Sequence, residues 1–320
     1  VCEKYARVQV VRRLEDDPVG YPDDLRQQLG QLGLLGLTLP EQYGGSGMNM
    51  IDAAVVYAEL GRALAPPPHF VRRAIGAGAV LLGGTEAQKD AVLPKVASGE
   101  LILTPAWLEP RNGYGPKGVQ MRATQYVLDG VKRHVAFASS AGQLVTLVRT
   151  GAAAEDVSLL LVDRESAGLK LTQQMTIASD TQYRADFEGV RVPVANRIGA
   201  ESAGWEIWNE VMHDAIILAA AQAMGGADRA LEMTVQYSLD REQFGKPLGA
   251  FQALSHYMAD ASTNVDGGKT LVYEAAWARA NGKSISRLAP MAKLFACQTY
   301  RDLTAMAEQI HGGMGFTIEY

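Results

Sequence analysis

Two cysteines, Cys2 and Cys297, are all the thiol chemistry this 320-residue chain has. Their number and spacing exclude a disulfide framework and a cysteine-based metal cluster. Histidine is scarce too. The five are His69, His134, His213, His256 and His311, and none stands at HExxH spacing, so no metal ligand set is expected. Ser46 and Ser139 lack a GxSxG frame, which removes the usual signature of a serine hydrolase. No Walker loop is present, and no strand–GxGxxG–helix unit supports a dinucleotide fold. An excess of one charge is missing as well. Thirty Lys and Arg face 35 Asp and Glu, and the net charge of -5 argues against a nucleic-acid partner. No apolar run approaches the roughly 20 residues of a membrane span. The richest, 215–224, gives way to Gly225, Gly226 and Asp228. No signal-peptide pattern opens the chain. These absences point to a reduced, cytoplasmic protein, and the first residue, Val1, to a natural start further upstream.

What is present is ordinary globular composition, 48% hydrophobic and 20% charged. At roughly 100–200 residues per domain, two or three domains are expected. The first hundred residues read as helices. Tyr21-Pro22-Asp23-Asp24 looks like a helix start with acid in its first turn, and Leu25, Leu29, Leu32 and Leu35 follow at helical spacing. Leu39-Pro40 and Tyr43-Gly44-Gly45-Ser46-Gly47 interrupt. A second helix is predicted over 50–64, with Val55, Val56, Ala58, Leu60 and Gly61 as its packed stripe and Pro66-Pro67-Pro68 as its stop. A third covers 71–82. A fourth opens at Thr85, whose capping box Gln88 completes, and ends near Ser98-Gly99.

The period then changes. Short strands are predicted at 101–103, 120–124, 126–128, 143–149, 157–162 and 182–187, with Asp129-Gly130 as a hairpin turn. Such a series implies an antiparallel β-barrel or sandwich. From Gly204 helix returns, over 203–237, 251–280 and 290–310, and reads as a bundle. Three long helices call for a fourth, expected from a partner chain or a tail beyond Tyr320. The fold class is thus α+β: an N-terminal helical domain at 1–100, a middle β domain at 101–200, and at 201–320 a four-helix-type bundle whose final helix is not evident.

Few residues declare chemistry alone. Arg241, at the end of a long helix, offers a guanidinium fork for phosphate, or is a solvated helix end. Gln309-Ile310-His311-Gly312-Gly313-Met314-Gly315-Phe316 either lets a ligand approach its glycines or is a helix cap and turn. Glu109-Pro110 with Asn112-Gly113 reads as a connection rather than a ligand loop. Trp107, Trp205, Trp208 and Trp277 read as core or interface anchors.

Taken together the segments resemble an acyl-CoA dehydrogenase over essentially the whole chain. Tyr237-Ser238-Leu239-Asp240-Arg241-Glu242-Gln243-Phe244-Gly245-Lys246-Pro247-Leu248, followed by Phe251-Gln252, is similar to the family signature with its RxxFGxPL core. Gln309 to Tyr320 is similar to its second C-terminal motif, and Leu39-Pro40-Glu41-Gln42-Tyr43-Gly44-Gly45 to its early turn. The resemblance implies FAD as cofactor. It assigns Arg241, Gln243, Phe244, Leu248 and Gln252 to the diphosphate and adenine side, usually of the partner subunit's FAD, with Gln309, Gly312 and Gly313 as a second adenine-side contact. It implies α,β-dehydrogenation of an acyl-CoA: a Glu removes the α proton, flavin takes the β hydride, and an electron-transfer flavoprotein accepts the electrons.

The departures from the family pattern are informative. Leu108-Glu109-Pro110 stands where the family has a hydroxyl before Glu-Pro, and its GSD end is unrecognisable here. Lys132-Arg133-His134-Val135-Ala136 replaces a flavin-side aromatic by His134 and a hydroxyl by Ala136. One of the two family positions for the catalytic Glu is Ala215, beside Ile216. The other lies past Tyr320, and Glu319 is not the base. Glu210 and Asp214 read as solvated helix faces, so no catalytic residue is assigned to this chain. The pattern resembles the short, degenerate subunit of a heterotetrameric (α2β2) steroid-type member of the family, with the base on a homologous acyl-CoA dehydrogenase subunit and room for a bulky acyl group. A self-sufficient homo-oligomer with a displaced base and a non-catalytic scaffold are the alternatives.

Overall fold

The computed structural model describes residues 1–66, 75–178 and 180–317. Beyond the first two residues the chain forms two compact units, one of 3–48 and 66–215, the other of 49–65 and 216–320.

The first unit opens with helices. After α1 (Cys2–Tyr5) and α2 (Val8–Arg13) comes α3 (Asp23–Gln31), with Asp23 and Asp24 against the positive end of its dipole and Leu25 and Leu29 buried. The predicted stripe does not continue through Leu32, which is exposed. Gly33, at φ 71°, turns the chain and delivers Leu35 to the core from a separate 3-10 turn, Leu34–Gly36. The turn after Leu39 depends on Gly45, where a Cβ would lie 2.1 Å from the Leu39 carbonyl oxygen. Of the predicted third helix, 71–74 lie outside the described residues, as do Pro67 and Pro68 of the stop before it. Residues 75–77 form a π turn leading into α5 (Gly78–Gly83). Helix α6 (Glu86–Ser98) starts on the predicted capping box of Thr85 and Gln88 and ends on Gly99 at φ 87°.

The β layer is a sandwich and not a closed barrel. One sheet has the order β1 (Leu103–Ala106), β4 (Gln143–Arg149), β5 (Val157–Asp163), β8 (Arg197–Ile198). The other runs β2 (Ala123–Thr124), β3 (Val127–Ala136), β7 (Gln182–Arg191), β6 (Leu169–Gln174). Leu144, Val148, Leu160 and Val162 of the first sheet bury against Leu128, Val135, Ala185 and Phe187 of the second. The sheets are mixed rather than wholly antiparallel, because β1 and β4 pair in parallel. Asp129-Gly130 is not a turn. It lies inside β3 at a bulge, where the Asp129 carboxylate accepts the Gly189 N–H at 2.7 Å. The hairpin turn is Gln125-Tyr126, both residues at positive φ, joining β2 to β3.

The second unit is helical. Helix α7 (Gly204–Asp240) runs without a break through Gly225-Gly226. The hairpin β9 (Glu242–Gln243) and β10 (Lys246–Pro247) leads to α8 (Gln252–Ala280) and α9 (Leu288–His311). The fourth helix is α4 (Met50–Arg62), capped by Asn49 and Asp52. It comes from the N-terminal part of this chain. Its buried face is Ala53, Ala54, Tyr57, Leu60 and Gly61, whereas Val55 of the predicted stripe is exposed. Glycines let backbones touch here. A Cβ on Gly61 would lie 1.9 Å from the Gln222 oxygen, and one on Gly225 would lie 1.8 Å from the Ala58 oxygen. No described helix is long and apolar enough to cross a membrane.

Candidate functional site

The end of α7 sets the first group of site residues. The Arg241 N–H closes the last turn onto the Tyr237 carbonyl, and the Arg241 carbonyl accepts the Leu248 N–H, each at 2.9 Å. Between them the chain makes a two-residue hairpin. Phe244 and Gly245 both take positive φ, 55° and 77°, as such a turn requires. The geometry thrusts the Phe244 ring into solvent, 92% exposed, with its edge toward Phe251 at 6.3 Å. Arg241 and Gln243 are exposed, Leu248 is half-buried at the start of a 3-10 turn, and Gln252 opens α8 from an exposed position.

The second group sits at the end of α9. Gln309, Gly312 and Gly313 are exposed. Gly312 has φ 59° and ψ -133°, a conformation open in practice only to glycine. A Cβ at Gly312 or Gly313 would meet nothing within 4 Å, so both offer bare backbone.

A ring stack brings the two groups to one end of the bundle. Tyr237 lies on His311 with centroids 4.3 Å apart, and its hydroxyl donates to the His311 carbonyl at 3.3 Å. His311 is itself held by Nδ1 donating to the Ala307 carbonyl at 2.7 Å. Tyr237 is one helical turn before Arg241, and His311 directly precedes Gly312. Motifs some 70 residues apart in sequence therefore share one surface.

The β unit holds the residues where the family pattern is altered. Leu108 is half-buried, and its carbonyl accepts the Arg133 N–H at 2.8 Å. His134 sits at a second bulge of β3 with φ 55°. Its N–H donates to Gln174 Oε1 at 3.0 Å, and its Nδ1 meets Gln182 Oε1 at 2.8 Å. The Gln182 amide nitrogen faces the Asp180 carboxylate, which can only accept, so Gln182 Oε1 is the acceptor and His134 Nδ1 carries the proton. The Ala136 carbonyl accepts the Thr104 hydroxyl at 2.5 Å.

Beneath these lies an ion pair that motif reading passed over. Lys132 Nζ is 2.7 Å from Glu109 Oε1, with the Lys132 side chain 0% exposed and Glu109 7%. Burial pulls Lys132 down to about 8, against the pull of Glu109 in the other direction. The partners are 23 residues apart, and no local spacing marks them. Nor is Glu109-Pro110 a plain connection, since the Glu109 carboxylate also accepts the N–H groups of Gln120 and Met121.

Ala215 is completely buried. Glu210 is half-buried and lies 3.7 Å from His213 Nδ1. Asp214 is half-buried, with one carboxylate oxygen out of contact with solvent. The expected solvated helix face fits Glu210, whose side chain is 40% exposed, and is corrected at Asp214, where one carboxylate oxygen is buried. In the second unit a cavity of about 220 Å³ opens between α4, α7 and α8. On its rim Asp228 accepts from Lys269 at 2.6 Å and from Arg62 at 3.3 Å, and Arg62 also pairs with Glu232.

Fold and site together define a flavin-type dehydrogenase architecture of helices, β-sandwich and helical bundle. Family models agree: residues 2–100 match the acyl-CoA dehydrogenase N-terminal domain, and 202–320 match the acyl-CoA dehydrogenase C-terminal domain. The chain belongs to the acyl-CoA dehydrogenase family. It is 31% identical to the probable acyl-CoA dehydrogenase YngJ of Bacillus subtilis (strain 168), over all of this chain and 88% of that protein. Among solved structures it resembles butyryl-CoA dehydrogenase from Megasphaera elsdenii, at 28% identity and TM-score 0.91, covering 100% and 87% of the two chains. It also resembles the Tcur3481-Tcur3483 steroid ACAD G363A variant, at 28% identity and TM-score 0.87, covering 100% and 86%.

Proposed function

We propose that this chain is one subunit of a cytoplasmic, FAD-dependent acyl-CoA dehydrogenase, working with a homologous partner in an α2β2 assembly. The reaction is α,β-desaturation of an acyl-CoA thioester, with an electron-transfer flavoprotein as acceptor. The observation that carries the reading is the Tyr237–His311 junction, which unites the Arg241 hairpin with the Gly312-Gly313 turn.

The adenosine end of FAD suits that surface. Bare backbone at Gly312 and Gly313 admits a flat ring system closely, and Gln309 adds an amide beside it. The Arg241 guanidinium gives a rigid fork of donors for the diphosphate, with Gln243 and Gln252 as further amides. Phe244 and Leu248 offer the apolar contact. The ring end of the cofactor suits this chain less well, since Leu108 and Ala136 have no hydroxyl to offer and His134 is committed to Gln174 and Gln182. Bound, FAD supplies the acceptor for a hydride from the β carbon.

A base for the α proton must reach that carbon at hydrogen-bond distance. Ala215 has nothing to donate or accept, and it is buried. Glu210 lies five residues earlier on α7, about 140° away around the axis by the 3.6-residue repeat. Asp214 points about 100° away by the same repeat. A Glu of the partner subunit is therefore the base in this reading. The substrate class is a bulky steroid side-chain thioester, a choice supported by the likeness to the Tcur3481-Tcur3483 steroid ACAD variant.

Coexpression with the genomic neighbour, followed by flavin counting and turnover, tests the reading. A complex with less than one FAD per chain, whose activity vanishes on changing the partner's Glu, is the expected result. A lone chain that forms a homo-oligomer with one FAD per chain and turns over acyl-CoA would overturn it.

A further inference from the structure

The cavity between α4, α7 and α8 lies wholly within the second unit and plays no part in the dehydrogenase chemistry. Its existence follows from the glycines that pin its walls. Gly225 of α7 lies against the Ala58 carbonyl, and Gly61 of α4 against the Gln222 carbonyl, so these two helices are already in backbone contact. On the α8 side, Met224 occupies the space that a side chain on Gly268 would take. Helices pinned in this way cannot close further on one another. Only Ala54, Ala58 and Ala221, with Met224 and Val272, are left to fill the gap, and about 220 Å³ stays open. An apolar cavity of roughly 150 Å³ admits benzene. The space here therefore takes a single ring or a short branched chain, and falls short of the roughly 300 Å³ at which drug-sized sites begin.

The rim is polar, and its hydrogen-bonding capacity is unevenly used. Asp228 accepts from Lys269 Nζ at 2.6 Å and from Arg62 at 3.3 Å, one bond to each carboxylate oxygen. Arg62 also donates to Glu232. An ammonium carries three N–H donors and a guanidinium five, so among the described residues two remain on Lys269 and three on Arg62. Both side chains are only about one-third exposed, so water reaches these donors from the opening alone. Glu59, one turn before Arg62 on α4, lines the same cavity. It is exposed, and its carboxylate forms no ion pair or hydrogen bond among the described residues. The lining charges, Arg62 and Lys269 against Asp228 and Glu59, cancel. The site therefore offers spare donors and a spare acceptor at one end and apolar surface at the other.

We infer that this cavity binds a free α-amino acid with a branched aliphatic or single-ring side chain. The carboxylate takes the spare donors of Lys269 and Arg62, the ammonium faces Glu59, and the side chain lies on the alanine floor. Charge-assisted bonds of both signs at the head, with apolar burial of the body, select a zwitterion over a simple acid or a simple amine. The glycine contacts hold the walls in place before binding, which lowers the ordering cost of capture. The site does not depend on the dehydrogenase reading, because it is argued from the second unit's own helices.

Calorimetric titration of the protein as isolated, with its partner and flavin, tests the site. The probes are L-leucine and L-phenylalanine, each beside its analogues without the amine (isocaproate, hydrocinnamate) and without the carboxylate (isopentylamine, phenethylamine). Saturable binding of at least one amino acid is expected, at least about tenfold tighter than that of either analogue. Ala58→Val puts bulk on the floor and is expected to weaken it at least about tenfold. Glu59→Gln is expected to weaken the amino acid several-fold and to leave the amine-free analogue unchanged. Glu59 is exposed, so that variant keeps the fold, as a melting curve would verify, and it decides the matter by itself if Ala58→Val does not fold. The inference is overturned by no saturable binding of either amino acid at millimolar concentration, by an analogue that binds as tightly as its amino acid, or by an affinity that the folded variants leave unchanged. Binding is read directly, so loss of turnover does not bear on it, and a failed titration leaves the dehydrogenase reading standing.

Discussion

Glu109→Gln is the most revealing single change. It keeps the shape of the side chain and removes the counter-charge that pairs with a fully buried ammonium. Two losses follow. Lys132 keeps a neutral partner in place of a charged one, and an amide NH2 now faces the Gln120 N–H, donor against donor. Breaking one side of a buried pair costs about 3–5 kcal/mol, and the low end is expected here because Lys132 retains the Trp107 carbonyl at 3.5 Å. The pH dependence gives an independent check. Lys132 has a folded value of about 8 against 10.5 when free, so between those values the unfolded chain binds more protons. Stability from this residue therefore rises with pH across that window and is lowest below it, where the ammonium stays charged in both states. The gap corresponds to roughly 3 kcal/mol at about 1.4 kcal/mol per unit. Urea unfolding at neutral pH and near the top of the window, on wild type, Glu109→Gln and Lys132→Met, measures both effects. Wild type should gain on Lys132→Met as pH rises. A cost below about 1 kcal/mol for Glu109→Gln, with a pH-independent gap to Lys132→Met, would refute the buried-charge account.

Three further outcomes are expected. Arg241→Ala removes a charge-assisted contact of roughly 1.5–3 kcal/mol and should weaken FAD binding by the assembly about tenfold or more in a titration, with the fold intact. Turnover should survive Glu210→Gln and Asp214→Asn with assembly and flavin content unchanged, and should fall by at least roughly 10²–10⁴ when the partner's Glu is changed. Gly225→Ala should lower the melting temperature, since its methyl would meet the Ala58 oxygen at 1.8 Å and force α4 from α7 at a cost of about 1–3 kcal/mol.

Local rules carried the parts of this fold that are local. The capping box at Thr85 and Gln88, the stop at Gly99 and the continuous strands at β4 and β5 were legible, because neighbouring residues decide them. Strand β6 escaped notice because Leu169-Lys170-Leu171-Thr172-Gln173-Gln174 is polar at its end and owes its state to pairing with β7. Asp129-Gly130 misled because a turn dipeptide is also a good bulge dipeptide, and only the partner strand distinguishes the two. At the candidate site the motif residues were legible one by one. Their meeting through Tyr237 and His311, and the pairing of Glu109 with Lys132, were not, since both rest on contacts between distant segments.

The hairpin that carries Phe244 has a thermodynamic consequence. A free phenylalanine on a loop would surrender backbone and rotamer freedom on docking, about 1–2 kcal/mol for the backbone of each residue fixed. Here the backbone part of that ordering is complete before any encounter. Paired strands on either side fix the turn, Phe251 flanks the ring, and Lys246 caps Phe251 at 4.2 Å. Folding has already absorbed the cost of leaving the ring wet. Whatever covers Phe244 therefore gains from drying it without fixing the turn, and the chain by itself carries that apolar surface as a standing tendency to associate.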